Sequence, residues 1–285
     1  MSELRELGRT GLAVSRIGLG SSYGVGGADI ERAFERGVRY FYWGSRRRAG
    51  FGAGLRQLAP HHRDEMVVVI QSYARAGALL GPSLESALRR LRLGYADVLL
   101  LGWWNRPPPE RILDAALALR EAGRCRHVMI SCHDRQTFAR YIADPCYGAI
   151  MVRYNAAHTG AEREVFPVLD DTAEPPGVVA YTATRWGALL DRKMVPAGEP
   201  IPSAADCYRF ALSDPHVDLC LAGPRDGDEL DAALEALDRG PLDADDLAWM
   251  RRVGRGVHEA AARVAARRPQ HLLDRAAQRL GLRVQ

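Results

Sequence analysis

The stretch ADVLLLGWWNRPPPERILDAALALREAGRCRHVMIS, residues 96–131, decides the fold class of this chain. It begins with the apolar run Ala96–Leu101, which has the length of one buried strand. A helix-like segment over 109–122 follows, and a second apolar run ends the stretch at His127–Ser131. Two buried strands joined by a helix form a βαβ unit, so the stretch predicts parallel strands in an α/β protein.

The same alternation continues outward in both directions. The other apolar runs are Ile17–Leu19, Val38–Trp43, Met66–Gln71, Ala149–Tyr154, Val178–Thr182 and Asp218–Ala222. Between the runs lie helix-like segments near 29–37, 50–58, 83–93, 134–142, 161–168, 203–213 and 226–237, with Ser83 and Asp134 as candidate helix caps. Eight strand–helix repeats predict a (β/α)8 TIM barrel, a fold of about 250 residues. A doubly wound open sheet is the alternative, although no G-x-G-x-x-G follows the first run.

The composition is that of a folded protein with a large core. The chain has 285 residues, of which 47% are apolar, and its net charge is only +4. This balance excludes a disordered chain and gives no concentrated basic face for nucleic acid. No apolar run reaches ~18 residues, and the first residues are charged, so we expect neither a membrane span nor a secretory signal. Five cysteines without a C-x-x-C spacing favour reduced thiols in a cytoplasmic protein over disulfides or a zinc site.

Several short motifs occur in a recognisable order along residues 3–255. They are Leu7–Ser15, Ile17–Gly20, Gly37–Phe41, Tyr95–Leu100, Tyr154-Asn155 and Ala222–Arg225. This series resembles the aldo-keto reductases. The resemblance implies a single domain, 1–285, made of an N-terminal β-hairpin over 3–14, a barrel over 15–240 and a C-terminal helical extension over 241–285. In that extension Leu247, Met250, Val253 and Val257 recur at helical spacing, and Pro269 divides it into two helices.

The resemblance also implies NADPH-dependent carbonyl reduction by an Asp, Tyr, Lys and His tetrad. In this sequence the four positions are occupied by Tyr42, Arg47, Ser72 (or Gln71) and Gly102. The chain has one lysine, Lys193, which lies beyond the seventh predicted strand. We therefore predict that the hydride-transfer tetrad is absent.

The positions that the resemblance assigns to the cofactor are altered as well. Where the family holds the nicotinamide carboxamide, this chain has Ser131, Cys132 and Arg153. Near the eighth strand Arg225 matches a phosphate-binding residue, but Asp226 brings a negative charge beside it. Ser131 and Arg225 remain the candidate cofactor residues, and the sequence leaves open whether NADPH binds differently or not at all.

Large polar and aromatic residues follow nearly every predicted strand, at the end where barrel active sites lie. The candidate substrate-binding residues are Arg47, Gln71, Tyr73, Trp103, Arg153, Asn155, Arg185 and Trp186, and the candidate proton-transfer residues are His133, His158 and Tyr42. Arginine binds carboxylate or phosphate through two hydrogen bonds, and histidine titrates near neutral pH. The alternatives are structural ion pairs for the arginines and packing under loops for the rings. No spacing of ligands indicates a metal site.

Three functions remain open on the sequence. The first is a repurposed small-molecule enzyme that catalyses proton transfer, as an isomerase, lyase or cyclase, on an anionic or polar ring-bearing substrate. The second is an atypical NADPH-dependent carbonyl oxidoreductase. The third is a non-catalytic binding protein, whose partner would contact the basic C-terminal residues.

Overall fold

The computed structural model describes residues 4–21, 24–44 and 49–266 of the chain. The chain begins with a short antiparallel pair, β1 (Leu4–Glu6) and β2 (Ala13–Ser15), in which Leu4 lies opposite Ser15. This is the predicted hairpin, displaced by one residue at its end.

Eight parallel strands then form a closed barrel in chain order. They are β3 (Ile17–Gly20), β4 (Tyr40–Trp43), β5 (Val67–Ser72), β6 (Ala96–Leu101), β7 (Cys125–Ser131), β8 (Tyr147–Arg153), β9 (Gly177–Tyr181) and β10 (Leu219–Ala222). The barrel closes where Cys220 of β10 lies opposite Ile17 of β3. The predicted TIM barrel is thereby confirmed, and the open-sheet alternative is wrong.

Helices follow the strands and cover the outside of the barrel. They are α1 (Gly27–Glu35), α2 (Ala49–His62), α3 (Gly77–Leu91), α4 (Glu110–Glu121), α5 (Phe138–Ala143), α6 (Ala161–Glu164), α7 (Phe166–Asp170), α8 (Ala204–Leu212), α9 (Gly227–Arg239) and α10 (Ala244–Ala266). Asp134 caps the turn before α5, since its Oδ1 accepts the Gln136 N–H at 3.2 Å. Ser83 is not a helix cap, because α3 begins six residues earlier and Ser83 accepts a hydrogen bond from the Ser72 hydroxyl within it.

The hairpin closes the amino-terminal end of the barrel. Leu7, Leu12 and Val14 are almost fully buried and pack against inward-facing strand residues such as Val179. Burying each such side chain contributes roughly 2 kcal/mol. Gly8 has φ +44°, and a Cβ there would overlap the backbone of β9, so the close approach of hairpin and barrel requires glycine. The hairpin thus fills the amino-terminal opening of the strand barrel, and the carboxyl end of the strands is the end where barrel active sites lie.

Helix α10 extends from the amino-terminal side of the barrel to its mouth. Arg251 pairs with Glu162 at 3.0 Å, and about two turns further His258 Nδ1 donates to the Ala157 carbonyl at 2.9 Å. The predicted second helix after Pro269 lies outside the described residues. No helix in the described ranges is both long enough and apolar enough to cross a membrane.

Candidate active site at the barrel mouth

Three side chains from neighbouring strands meet at the mouth, and we call His133, Arg153 and Tyr181 the mouth triad. Arg153 is the last residue of β8 and Tyr181 the last residue of β9, and they lie opposite each other in the parallel ladder. His133 follows β7 by two residues, where its N–H donates to Asn105 Oδ1 at 2.8 Å. The closed barrel brings the three strand ends together at one edge.

The contacts within the mouth triad fix the protonation of His133. Arg153 Nη2 lies 3.1 Å from His133 Nδ1, and the Tyr181 hydroxyl lies 3.2 Å from the same nitrogen. A guanidinium can only donate, so we assign Nδ1 as the acceptor and place the ring proton on Nε2. Within the described residues Nε2 makes no hydrogen bond, and the imidazole is exposed.

The mouth triad carries positive charge without a balancing carboxylate. In the described ranges Arg153 has no ion pair, and its buried Nε has no hydrogen-bond partner. Burial and then the Arg153 cation lower the pKa of His133, so the imidazole is neutral at pH 7. Burial raises the pKa of the Tyr181 phenol, and Arg153 partly offsets that effect.

A second basic group lies beside the mouth triad, against α10. Arg185 Nη1 donates to the Val257 carbonyl at 3.3 Å, and the rings of His158 and His258 meet edge to face at 5.5 Å. Burial and then Arg185 and Arg153 lower the pKa of His158 to about 4. We call Arg185, His158 and His258 the helix-side basic group. No carboxylate pairs with it in the part of the chain that the structure describes.

Exposed aromatic rings surround the mouth triad. Trp103 is 57% exposed and Trp186 61%, although large apolar side chains are ordinarily buried. The Trp103 ring lies 5.8 Å from the ring of His133 and 5.4 Å from that of Tyr73. The Trp186 ring lies 5.2 Å from the Arg153 guanidinium carbon. The mouth is therefore an arc of rings and cations open to solvent.

The backbone of this arc is strained. Among the described residues that are not glycine, five have positive φ: Arg92, Trp103, Thr182, Arg185 and Trp186. Arg92 ends α3, and the other four follow β6 or β9 at the mouth. The left-handed conformation costs roughly 1 kcal/mol or more for each such residue, and strain of this kind concentrates at functional sites. The surrounding structure therefore holds these four residues in a backbone conformation that residues other than glycine disfavour.

Tyr42 and Gln71 fill the mouth on the opposite side. The Tyr42 hydroxyl donates to Gln71 Oε1, and burial raises the pKa of Tyr42 well above its ordinary value. A Cβ at Gly44 would overlap the Tyr42 ring, and one at Gly102 would overlap the Gln71 amide. Tyr42, predicted to transfer protons, is thus nearly buried and held by Gln71, and Tyr181 of the mouth triad is among the groups that raise its pKa. Beside them a cavity of about 370 Å³ opens toward α3, and its wall includes Tyr73.

Two other predicted residues have mainly structural contacts. Asn155 is fully buried; its amide donates to the Thr182 carbonyl at 2.8 Å and accepts the Ala157 N–H at 3.0 Å. It stabilises the β8 loop and does not line the mouth. Ser131 is buried, and its hydroxyl accepts the Trp103 N–H at 2.9 Å. Arg47 lies outside the described residues.

The start of α9 does not fit the phosphate that the resemblance expects there. Glu229 accepts from both the backbone N–H of Arg225, at 2.8 Å, and its guanidinium Nε, at 2.7 Å. Asp226 caps the helix by accepting the Glu229 N–H at 3.0 Å. A phosphate at this position would have to displace Glu229 and would lie beside the Asp226 carboxylate. The residues present here do not fit a dinucleotide phosphate.

Sequence reasoning missed Tyr181 and His258. Tyr181 ends an apolar strand run and resembled a core residue; its position opposite Arg153 becomes visible only in the β8–β9 register. His258 lies on a helix far along the chain and reaches the mouth through the length of α10. No cluster of three His, Cys, Asp or Glu side chains suited to a metal ion was found in the described residues.

Comparison with known proteins agrees with this architecture. No protein-family model matches the sequence. An aldo-keto reductase from Bacillus halodurans in its holo form has a TM-score of 0.75 at 19% identity, covering 89% of this chain and 96% of that one. Its apo form gives 0.73 at the same identity and coverage. An aldo-keto reductase from Klebsiella pneumoniae, in complex with NADP and acetate, gives 0.70 at 22% identity, covering 87% and 94%.

The chain therefore has the fold of the aldo-keto reductases, as the sequence motifs implied. Within that fold, the mouth presents an arginine, a neutral histidine and a tyrosine from β8, β7 and β9. The ends of β4, β5 and β6 carry Tyr42, Ser72 and Gly102.

Proposed function

We propose that this chain is a small-molecule enzyme that binds an anionic, ring-bearing compound at the barrel mouth and transfers a proton on it. One observation carries the proposal: Arg153 lies at the mouth against His133 and Tyr181 with no carboxylate paired to it among the described residues. A partly desolvated cation without a counter-ion is unfavourable, so a ligand anion would supply the missing charge. Arg185 adds a second guanidinium nearby.

The groups around the mouth triad define the ligand further. Trp103, Trp186 and Tyr73 offer flat apolar faces, which stack well on a ring. Arginine, the Nε2–H of His133 and the indoles are all donors, and the acceptor Gln71 Oε1 is already bonded to Tyr42. A ligand rich in donors, such as a neutral sugar, would find few acceptors here. A ring that carries a carboxylate or phosphate matches both the flat faces and the donors.

Proton transfer is the chemistry that these residues support. The neutral His133 exposes Nε2–H on the side not bonded to Arg153 and Tyr181. General acid–base catalysis by a positioned histidine accelerates reactions about 10²–10⁴-fold. Isomerisation, elimination and cyclisation all fit such a site.

The test starts with binding and proceeds to turnover. Binding of benzoate and of 2-naphthoate is measured by calorimetry on the wild type, on Arg153→Met and on the control Arg36→Met, whose arginine pairs with Asp238 on the barrel exterior. A panel of cyclic carboxylates and phosphates is then incubated in D2O and followed by NMR for deuterium incorporation or product. We expect the wild type and Arg36→Met to bind the carboxylates and Arg153→Met to lose that binding. We also expect deuterium to replace hydrogen at a carbon atom of a compound in the panel. Binding without any exchange or product would favour a non-catalytic binding protein, and equal binding by all three proteins would overturn the proposal.

The second candidate, an NADPH-dependent carbonyl oxidoreductase, is favoured by the fold shared with the NADP complex. The occupied Arg225 and the acidic start of α9 oppose it. NADPH is titrated against the intrinsic tryptophan fluorescence, and its oxidation is followed with a panel of aldehydes and ketones. We expect no saturable quenching up to millimolar NADPH. Cofactor-dependent reduction would establish this candidate instead.

A further inference from the structure

We infer that Tyr181 supplies His133 with the proton that His133 passes on, so that the mouth triad is a proton relay running from phenol to imidazole to ligand. This inference rests on the proposed function and adds a residue to it. It comes from the two contacts at His133 Nδ1, at 3.1 Å to Arg153 and 3.2 Å to Tyr181.

The geometry restricts what His133 can do alone. Its Nδ1 faces a guanidinium that can only donate, so the neutral ring carries its proton on Nε2. A neutral imidazole is a very weak acid and gives up that proton only if Nδ1 receives another. Among the described residues, the groups in hydrogen-bond contact with Nδ1 are Arg153, which stays protonated in proteins, and the Tyr181 hydroxyl. Tyr181 is therefore the donor that can complete the exchange.

The relay balances in protons and charge. The Tyr181 O–H bond breaks and an N–H bond forms at Nδ1, while the Nε2–H bond breaks and the ligand atom gains that proton. The negative charge of the ligand's reacting atom ends on the Tyr181 oxygen as a phenolate. The reverse sequence removes a proton from a ligand and restores the Tyr181 phenol. Where a reaction only adds a proton to the ligand, water reprotonates the phenolate afterwards.

Arg153 has a defined part in this sequence. In the resting state its Nη2 donates to Nδ1, and after transfer that nitrogen carries a proton and no longer accepts. The guanidinium can then pair with the phenolate across the β8–β9 ladder. A cation opposite the phenol favours its ionised form, against the burial that disfavours it. Arg153 positions the two other groups and pairs with the anionic group of the ligand, Tyr181 supplies the proton, and His133 exchanges it with the ligand's reacting atom.

The test needs no ligand. In protein carrying ¹³Cζ-tyrosine and ¹⁵N-histidine, NMR follows Tyr181 and His133 from pH 6 to pH 12. The variants are Tyr181→Phe and Arg153→Met, and the control is Tyr95→Phe, whose ring lies under Arg63 away from the mouth. The other titratable groups that interact with Tyr181 are Cys132, Tyr73 and Tyr42, which are unchanged in all variants.

We expect Nε2 to carry the proton at pH 7, and His133 Nδ1 to shift with the same midpoint as the Tyr181 phenol. Tyr181→Phe abolishes that high-pH step and leaves the His133 tautomer unchanged, whereas Arg153→Met raises the pKa of Tyr181 because it removes the cation that favours the phenolate. A proton on Nδ1 at pH 7, or independent titrations of the two residues, would overturn the relay. Once a compound is found whose hydrogen exchanges in D2O, its turnover by Tyr181→Phe distinguishes the relay from the proposed function. Full turnover by this variant would overturn the relay but would not contradict the proposed function.

Discussion

Arg153 and Tyr181 form the last residue pair of the parallel ladder between β8 and β9, and both contact Nδ1 of His133 from the next strand end. The positions of Arg153 and Tyr181 are therefore set by barrel register, and His133 follows its strand by two residues. A site built on strand ends holds its geometry well, which proton transfer over hydrogen-bond distances requires.

The two exposed tryptophans are expected to select planar ligands. Trp103→Leu and Trp186→Leu should each weaken 2-naphthoate binding by roughly tenfold, because ring stacking contributes about 0.5–1.5 kcal/mol beyond buried area. Cyclohexanecarboxylate, which has no flat ring, should bind more weakly and be less affected. Calorimetry measures all four combinations, with Trp249→Phe on α10 as the control. An equal loss of affinity for 2-naphthoate and for cyclohexanecarboxylate would show that the tryptophans do not select planar rings.

Anion binding at the helix-side basic group is expected to take up a proton. His158 has a pKa of about 4 in the free protein, because of burial and of Arg185, Arg153, His258 and Arg135 around it. A bound anion offsets that repulsion and raises the pKa of His158, so affinity should increase as pH falls from 7 to 5.

Sulfate is a suitable probe because its charge stays constant over this range. Calorimetry in two buffers of different ionisation enthalpy measures the proton uptake directly. His158→Asn should remove the uptake while retaining some affinity through Arg185. Uptake that persists in the variant would assign it to another group.

His216 is expected to stabilise the fold more at low pH than at high pH. Burial alone would lower the pKa of His216, but hydrogen bonds to Asp170 at 2.9 Å and Asp214 at 2.8 Å raise it overall. Since the folded-state pKa exceeds the unfolded value near 6.5, the contribution is complete below that value and is lost as pH rises through the folded pKa.

The measurement is the free energy of unfolding in urea at pH 5.5 and pH 9.5 for the wild type and His216→Asn. The difference between the proteins should be about 1–2 kcal/mol larger at pH 5.5, somewhat below the ~1.5–3 kcal/mol typical of hydrogen bonds to charged groups because solvent screens the exposed Asp170. His61→Asn, in the exposed end of α2, is the control and should show no such change. A larger difference at pH 9.5 would mean that the histidine is bound neutral.

Glycine at position 102 is expected to be required by the Tyr42–Gln71 packing. A methyl group at Gly102 would overlap the Gln71 amide, whereas one at Gly94 would meet no atom within 4 Å. Gly102→Ala should therefore destabilise the fold by about 1–3 kcal/mol, and Gly94→Ala should not. Thermal unfolding compares the two, and an unchanged melting temperature for Gly102→Ala would show that Gln71 moves aside without cost.

The barrel could be predicted because its strands are short, mainly apolar runs that alternate with helical segments along the chain. The start of α3 was misplaced because Pro82 and Ser83 resemble a helix beginning, whereas the chain is already helical from Gly77. Pro82 is the sixth residue of α3, so the helix lacks one of its backbone hydrogen bonds there. The sequence thus predicted that a helix follows β5, but the residues Pro82 and Ser83 led to a wrong position for its start.

The site was only partly predictable, because polar contacts depend on three-dimensional register. His133, Arg153, Trp103 and Trp186 were identified from their places after strands, and the structure brings them together. The burial of Tyr42 against Gln71 could not be predicted, because the sequence does not show that Gly44 and Gly102 leave the space that the two side chains fill. Tyr181 was missed because a tyrosine at the end of an apolar run is usually core.

The hairpin that packs Leu7 and Leu12 into the far end of the barrel has a kinetic consequence. A ligand at the mouth triad therefore enters and leaves from the solvent side of the strand ends. A product still seated there blocks the next arrival, and its exit can become the slowest event of a cycle. The water that reprotonates the Tyr181 phenolate must reach it from the same side of the barrel.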